Sequence, residues 1–213
     1  MLYMTKIGGS VGKVIIKLNF GGVNMQKTKI AVPFRPVYPS PAGLIVAVDE
    51  QDKPNVMTAG EVFNISLKEP CIIGIALRKA TYTHSLIMKT GEFTVNLPTA
   101  AILEKVDLVG TISGRDEPDK FEKYGLTIIP STAVKPPIIE ECPVNLECKM
   151  LSVTVVGDHD LFLGQVVAMH VDSDKVGENQ RVLIEKVDGF AFAERGYYKM
   201  GEKIGNLGFS RGR

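Results

Sequence analysis

The chain has 213 residues, room for one domain with a substantial core, and its 25 basic and 24 acidic side chains leave a formal charge of +1. That balance excludes the strongly basic face of a nucleic-acid binder, and 45% hydrophobic with 23% charged residues is the profile of an ordinary globule. No apolar run approaches the ~20 residues that cross a bilayer, and no signal-peptide core precedes a cleavage site. Three cysteines, Cys71, Cys142 and Cys148, form no CxxC pair and read as free or buried thiols of a reducing compartment. The expectation is a soluble, cytoplasmic protein that binds neither nucleic acid nor membrane.

Residues 1–24 stand apart. Glycines bracket Lys13–Phe20, which reads as one strand, and Met25-Gln26-Lys27-Thr28 resembles a second beginning. The segment is either an appended strand or the product of an upstream start codon. Gly8-Gly9-Ser10-Val11-Gly12 matches the nucleophile-elbow string without its strand and helix. Gly8 to Lys13 is one residue short of a P-loop, with Val14 where Ser or Thr is needed. Neither motif carries weight.

Prolines 33, 36 and 39 make residues 31–40 an extended entry segment. Ala42 to Val48 is an apolar run of strand length, followed by a polar turn at Asp49–Pro54. Glu61 to Leu67 alternates, and Cys71 to Leu77 reads as a buried strand. Three short helices are predicted: Thr83–Lys89 closed by Gly91, Thr99–Val109 with Thr99 as N-cap, and Asp116–Tyr124 with proline inside its start and Gly125 past its end. Val144–Val156 and Leu161–Val171 flank a turn at Gly157–Asp160, a long hairpin signal, and Gly189–Ala193 is a final short strand. The basic, glycine-rich tail 195–213 is expected to wrap a surface without a core of its own. Many strands with few short helices define a mainly β fold, a barrel with helical insertions.

One corner of this pattern is chemical. Arg78-Lys79-Ala80-Thr81-Tyr82-Thr83 places two cations and two threonine hydroxyls where a strand ends and a helix begins. A helix start offers unpaired N–H groups and a positive dipole end, so the corner suits an anion, and phosphate above others. The alternative reading is a solvated basic turn with a threonine cap.

From Asn55 to Pro98 the pattern resembles the flavin reductase-like family, the flavoprotein group that includes flavoredoxin. The matching blocks are Asn55-Val56-Met57-Thr58-Ala59-Gly60, the Arg78–His84 corner, Gly91–Pro98, Ser113-Gly114-Arg115-Asp116 with Asp119-Lys120-Phe121, and Gly157-Asp158-His159. The resemblance runs from about Phe34 to Gly208 and implies an FMN-binding split β-barrel of Greek-key type at 25–194, after an N-terminal extension and before the tail. Two departures stand out: residues 1–24 have no counterpart, and Glu61 follows Gly60 where the family commonly carries an aromatic.

The resemblance implies a role for each candidate residue. Arg78 and Lys79 would bind the FMN phosphate, helped by the hydroxyls of Thr81 and Thr83. Thr58, Ala59 and Gly60 would lie along the isoalloxazine. Asn96 would meet the ribityl chain or ring edge, or else be a satisfied core amide. Ser113 and Asp116 would close over the cofactor, or simply lead into a helix cap. His159 would face the flavin of a partner subunit, or be a plain turn histidine. Lys120 would be a satellite of the site, or else a solvated helix residue, the reading preferred here; His84 reads as packed in its helix, and His170 as a strand-face residue. No metal spacing is present.

The implied activity is transfer of hydride from NADH or NADPH to flavin N5, with electrons passed onward and no acid–base residue required. The alternative is a flavoredoxin-type electron carrier reduced by a protein partner. A module for another cofactor such as haem is weaker, because the phosphate corner argues against it. A homodimer is implied by the resemblance.

Overall fold

The structure, a computed structural model, describes residues 14–20, 23–29 and 36–212. Contacts within the chain divide it after Tyr38. In the first unit β1 (Val14–Phe20) pairs antiparallel with β2 (Val23–Lys29), joined in register from Val14↔Lys29 to Phe20↔Val23. The expected strand is therefore half of a hairpin, and β2 runs across the 24/25 boundary. The elbow and P-loop strings at 8–13 lie outside the described residues.

The second unit begins with β3 (Ser40–Pro41), β4 (Gly43–Val48) and β5 (Pro54–Ala59). Next come β6 (Val62–Ser66), β7 (Ile72–Arg78), α1 (Tyr82–Thr90) and β8 (Glu92–Leu97). A 3-10 turn at Ala100–Ile102 leads into α2 (Leu103–Thr111), then α3 (Lys120–Tyr124), β9 (Ile128–Ile129) and β10 (Ile138–Ile139). The hairpin β11 (Val144–Val156) and β12 (His159–Val171) precedes α4 (Ile184–Val187), β13 (Phe190–Ala193) and β14 (Gly196–Lys199).

Seven strands form one antiparallel sheet in the order β5-β4-β8-β11-β12-β7-β6. Its two edge strands, β5 and β6, are neighbours in sequence, joined only by Gly60-Glu61. A sheet whose ends are tied so closely must curl on itself. The result is a barrel left open between its edges, a split barrel; the backbone N–H of Ala76 on β7 donates to the Glu61 carbonyl at 3.0 Å, which extends the β6–β7 ladder to the start of the edge strand.

Strand β4 is buried at every residue, which explains its unbroken apolar run. Ile45 and Ala47 enter the barrel core with Ile75, Leu77, Phe93, Val95, Cys148 and Phe162, and α1 adds Leu86 and Ile87. Leu44 and Val46 belong to a second core with Val56, Val106 and Val109, where α2 covers the outside of β4 and β5.

Several expectations shift in detail. The second predicted helix splits into a 3-10 turn and α2, and the Thr99 side chain makes no capping bond. The third shrinks to Lys120–Tyr124, because residues 113–119 form turns, and Gly125 closes it. The hairpin turn is only Gly157-Asp158; Gly157 takes the positive φ of 63° that a two-residue primed turn demands, and His159 and Asp160 join the strand. The tail is not wholly a surface wrap: β14 pairs with β13, and Tyr197 stacks edge-on against Phe190 and Phe192.

Candidate functional site

Strand β7 ends at Arg78, and α1 begins four residues later. Thr81 joins the two: its hydroxyl donates to the Arg78 carbonyl at 2.9 Å and accepts the N–H of His84 at 3.4 Å, so Thr81 is the N-cap. No acid occupies the first turn of α1. The helix start thus keeps its positive character beside two exposed cations. The Arg78 guanidinium lies 3.6 Å from Asp158 and Lys79 Nζ lies 3.6 Å from Asp160, both loose pairs. His159, opposite Arg78 in the β12–β7 register, bonds Asp158 through Nδ1 at 2.8 Å.

Two segments converge on this corner. Asn55, near the start of β5, donates its side-chain amide to Thr83 Oγ1 at 2.8 Å. Gly114 packs so tightly here that a Cβ would lie 1.9 Å from Asn55 Oδ1 and 2.8 Å from the Tyr82 ring, leaving room for glycine alone. Arg115 reaches back from the same loop, donating to the Ala80 carbonyl at 2.9 Å with its guanidinium 5.1 Å above the Tyr82 ring. Ser113 shapes the loop, its hydroxyl accepting the Arg115 N–H at 3.2 Å and its carbonyl the Asp116 N–H at 3.1 Å.

The threonines do different work from that expected of them. Thr83 is 1% exposed, and its hydroxyl oxygen accepts from the Asn55 amide, so it serves as a strut between α1 and β5. Thr81 is committed to its cap. Thr58 donates its hydroxyl to the Val106 carbonyl, fastening β5 to α2. Ala59 is buried in the barrel core, and Gly60 sits at the split. What β5 leaves open is backbone. Its inner edge pairs with β4, whereas the Val56 carbonyl turns outward to Lys120 Nζ, so Thr58, two residues on, turns the same way.

Two further corrections follow from burial. Asn96 is fully buried and saturated: it donates to the Leu44 carbonyl at 3.0 Å and Thr94 Oγ1 at 3.1 Å, and accepts from the Ile139 N–H at 3.0 Å and Asn145 at 2.8 Å. It has nothing left to offer a ligand, and the core-amide reading holds. Lys120 is 2% exposed, not solvated, and donates to the Val56 and Val109 carbonyls at 3.0 and 2.8 Å. Burial pushes its pKa down to about 8. Asp116, by contrast, is exposed and enters the loop through its backbone.

Sequence reasoning missed Asn55, Arg115 and Asp160. Asn55 and Arg115 were inside quoted motifs, but nothing in their spacing shows that β5 and loop 113–116 meet α1. His84 donates through Nε2 to Asp160 Oδ2 at 2.8 Å, and that bond holds the Asp160 carboxyl below the usual carboxylate range. Among the described residues no group of His, Cys, Asp or Glu could hold a metal ion, and no helix is long and apolar enough to cross a membrane.

A split barrel with a cationic, capped strand-to-helix corner beside an open strand edge defines a class of flavin-linked proteins. The sequence model of the flavin reductase like domain matches residues 35–201, and the chain belongs to that family. An uncharacterised protein of Archaeoglobus fulgidus is 44% identical over 143 residues, 67% of this chain and 78% of that protein. A flavin reductase (NADPH) of Lentzea aerocolonigenes is 28% identical over 131 residues, 61% of this chain and 72% of that protein. Among solved structures, flavoredoxin of Desulfovibrio vulgaris (Miyazaki F) superposes with a TM-score of 0.79 at 32% identity, covering 88% of this chain and 100% of its own.

Proposed function

We propose that this chain binds FMN, with its phosphate at the β7–α1 corner and its ring along the open edge of β5, and that it accepts hydride from NADH or NADPH and passes the electrons on. The observation that carries this reading is the Asn55–Thr83 bond, which ties the open edge to the cationic, acid-free start of α1. The residues present fit the group. Arg78, Lys79 and the first N–H groups of α1 match a dianionic phosphate, and charge-assisted contacts of this kind contribute roughly 1.5–3 kcal/mol each. The outward N–H and C=O of β5 match the polar edge of a flat ring.

The chemistry FMN supplies when bound is hydride acceptance at N5 and onward release of electrons. This chain's part is position and electrostatics. Arg78 and Lys79 fix the phosphate, Thr81 keeps the helix start intact behind it, and Gly114 lets loop 113–116 lie close against Asn55 and Tyr82. Backbone donors at the edge of β5 hold the ring and stabilise charge on it.

The similarity to a flavoredoxin supports a second reading, an electron carrier reduced by a protein partner. An anaerobic absorbance titration separates the two. A yellow protein bleached by NADH or NADPH is a reductase; one bleached only by dithionite or a reduced protein is a carrier; a colourless protein that takes up no FMN overturns both.

The protein works in this reading as a homodimer in the cytoplasm. Phe63 and Ile65 on edge strand β6 and Leu67 just past it, with Leu151, Val155 and Val156 on β11, are exposed apolar side chains of the kind a second copy covers. Sedimentation of the flavin-bound protein as a monomer would refute the dimer.

A further inference from the structure

Asp160 is the one described residue with a buried side-chain oxygen, Oδ1, that lacks a hydrogen-bond partner. Its side chain is only 9% exposed, and it lies on β12 opposite Leu77, the residue before Arg78. The other oxygen, Oδ2, holds His84 Nε2 at 2.8 Å. His84 is thereby gripped at both ends, since its backbone N–H is bound by the Thr81 cap. Its ring stands edge-on to Phe162, a fully buried core side chain, at 5.1 Å. The orphaned Oδ1 faces Lys79 Nζ at 3.6 Å, just beyond hydrogen-bonding distance.

A buried carboxylate with an unmet oxygen costs stability unless a cation completes it. Lys79 is the cation within reach, on a side chain that is otherwise half exposed and free to rotate. We infer that Asp160 is the positioning residue of the anion corner, clamping the first turn of α1 through His84 with one oxygen and setting Lys79 toward the phosphate with the other. This inference rests on the FMN reading above. Asp160 itself touches no ligand; its oxygens face the His84 hydrogen bond and the Lys79 ammonium, and what it supplies is order in Lys79 and in the first turn of α1.

The test compares FMN with riboflavin, which lacks only the phosphate, in fluorescence titrations of the full chain. Asp160→Ala is expected to weaken FMN about tenfold, equivalent to about 1.4 kcal/mol, while riboflavin changes less than about twofold. Lys79→Met is expected to weaken FMN about fivefold in the wild-type background and hardly at all beside Asp160→Ala, because the lysine is already unplaced. Parallel losses for both ligands would reduce Asp160 to a structural residue and overturn the inference. Tighter FMN binding, or strict additivity of the two substitutions, would overturn it as well. If the alanine variant does not fold, Asp160→Asn decides: it keeps an acceptor for His84 but not the charge that places Lys79, so a loss confined to FMN supports the clamp and unchanged binding refutes it. Failure of the underlying reading is distinguishable, because then the wild type would bind FMN no better than riboflavin.

Discussion

Asn55 and Thr83 stand 28 residues apart in the chain, yet the side-chain amide of one donates to the hydroxyl of the other at 2.8 Å in the buried seam between β5 and α1. This single contact fixes the distance between the strand edge and the helix start. Replacing Asn55 by Ala leaves a buried hydroxyl without its partner, and a loss of about 1–3 kcal/mol is expected in urea unfolding. FMN affinity should fall with it; a variant as stable as the wild type would show that the seam is held elsewhere.

Arg78 is the cation at the end of β7, and its ion pair with Asp158 is exposed and 3.6 Å long. Exposed pairs of this kind add little to stability. Arg78→Ala should therefore unfold like the wild type while binding FMN at least about tenfold more weakly, or about 1.4 kcal/mol. Unchanged affinity would remove the phosphate from this corner.

Gly114→Ala introduces a Cβ 1.9 Å from Asn55 Oδ1. Loop 113–116 must then lift away from Asn55 and Tyr82, and Arg115 must release the Ala80 carbonyl. The expected outcome is a loss of about 1–3 kcal/mol together with weaker FMN binding. Wild-type behaviour in both assays would mean that the loop does not close on the seam.

Glu147 is fully buried on β11 and accepts hydrogen bonds from the Thr132, Ala133 and Val134 N–H groups, the Thr132 hydroxyl and His170. Burial opposes its charge, but those donors outweigh it and bring its pKa down from 4.5 to about 2. A depressed carboxyl stabilises the fold above its unfolded pKa and loses that contribution as pH falls from about 4.5 to 2. Discounted for water around the partly exposed 131–134 loop, the contribution is roughly 2 kcal/mol. Glu147→Gln should flatten acid unfolding across this window; an unchanged profile would show that other carboxylates govern it.

Lys120 runs the opposite way. Its folded pKa of about 8 lies below the ordinary 10.5, so the folded chain sheds this proton first and stability rises with pH between about 8 and 10.5. The rise is roughly 3 kcal/mol. Lys120→Met should abolish it, and thermal melts across that range decide.

The strand pattern was legible because β4 and β7 are apolar over strand lengths, and α1 was legible through Thr81 and Gly91 at its two ends. The third helix was overdrawn because proline and aspartate after Ser113 suit a turn as well as a helix start. Asn96 misled for one reason: a polar residue in an apolar segment signals a buried partner as readily as a ligand, and only the fold names the partner. Lys120 misled in reverse, since a lysine in a short polar helix looks solvated until the helix docks on an open strand edge.

The amino-acid sequence alone determined β4, β6, β7 and the β11–β12 hairpin, the cationic corner and the family, because these depend on local propensity, hydrophobic period and residues adjacent in the chain. Tertiary structure alone decided which side chains serve the corner and which serve the core. Hydrogen bonds such as Asn55–Thr83, Asp160–His84 and Lys120–Val56 join residues 28, 76 and 64 positions apart. Such pairings exist only once the sheet has curled and the helices have packed against it, and no local pattern encodes which side chains then meet.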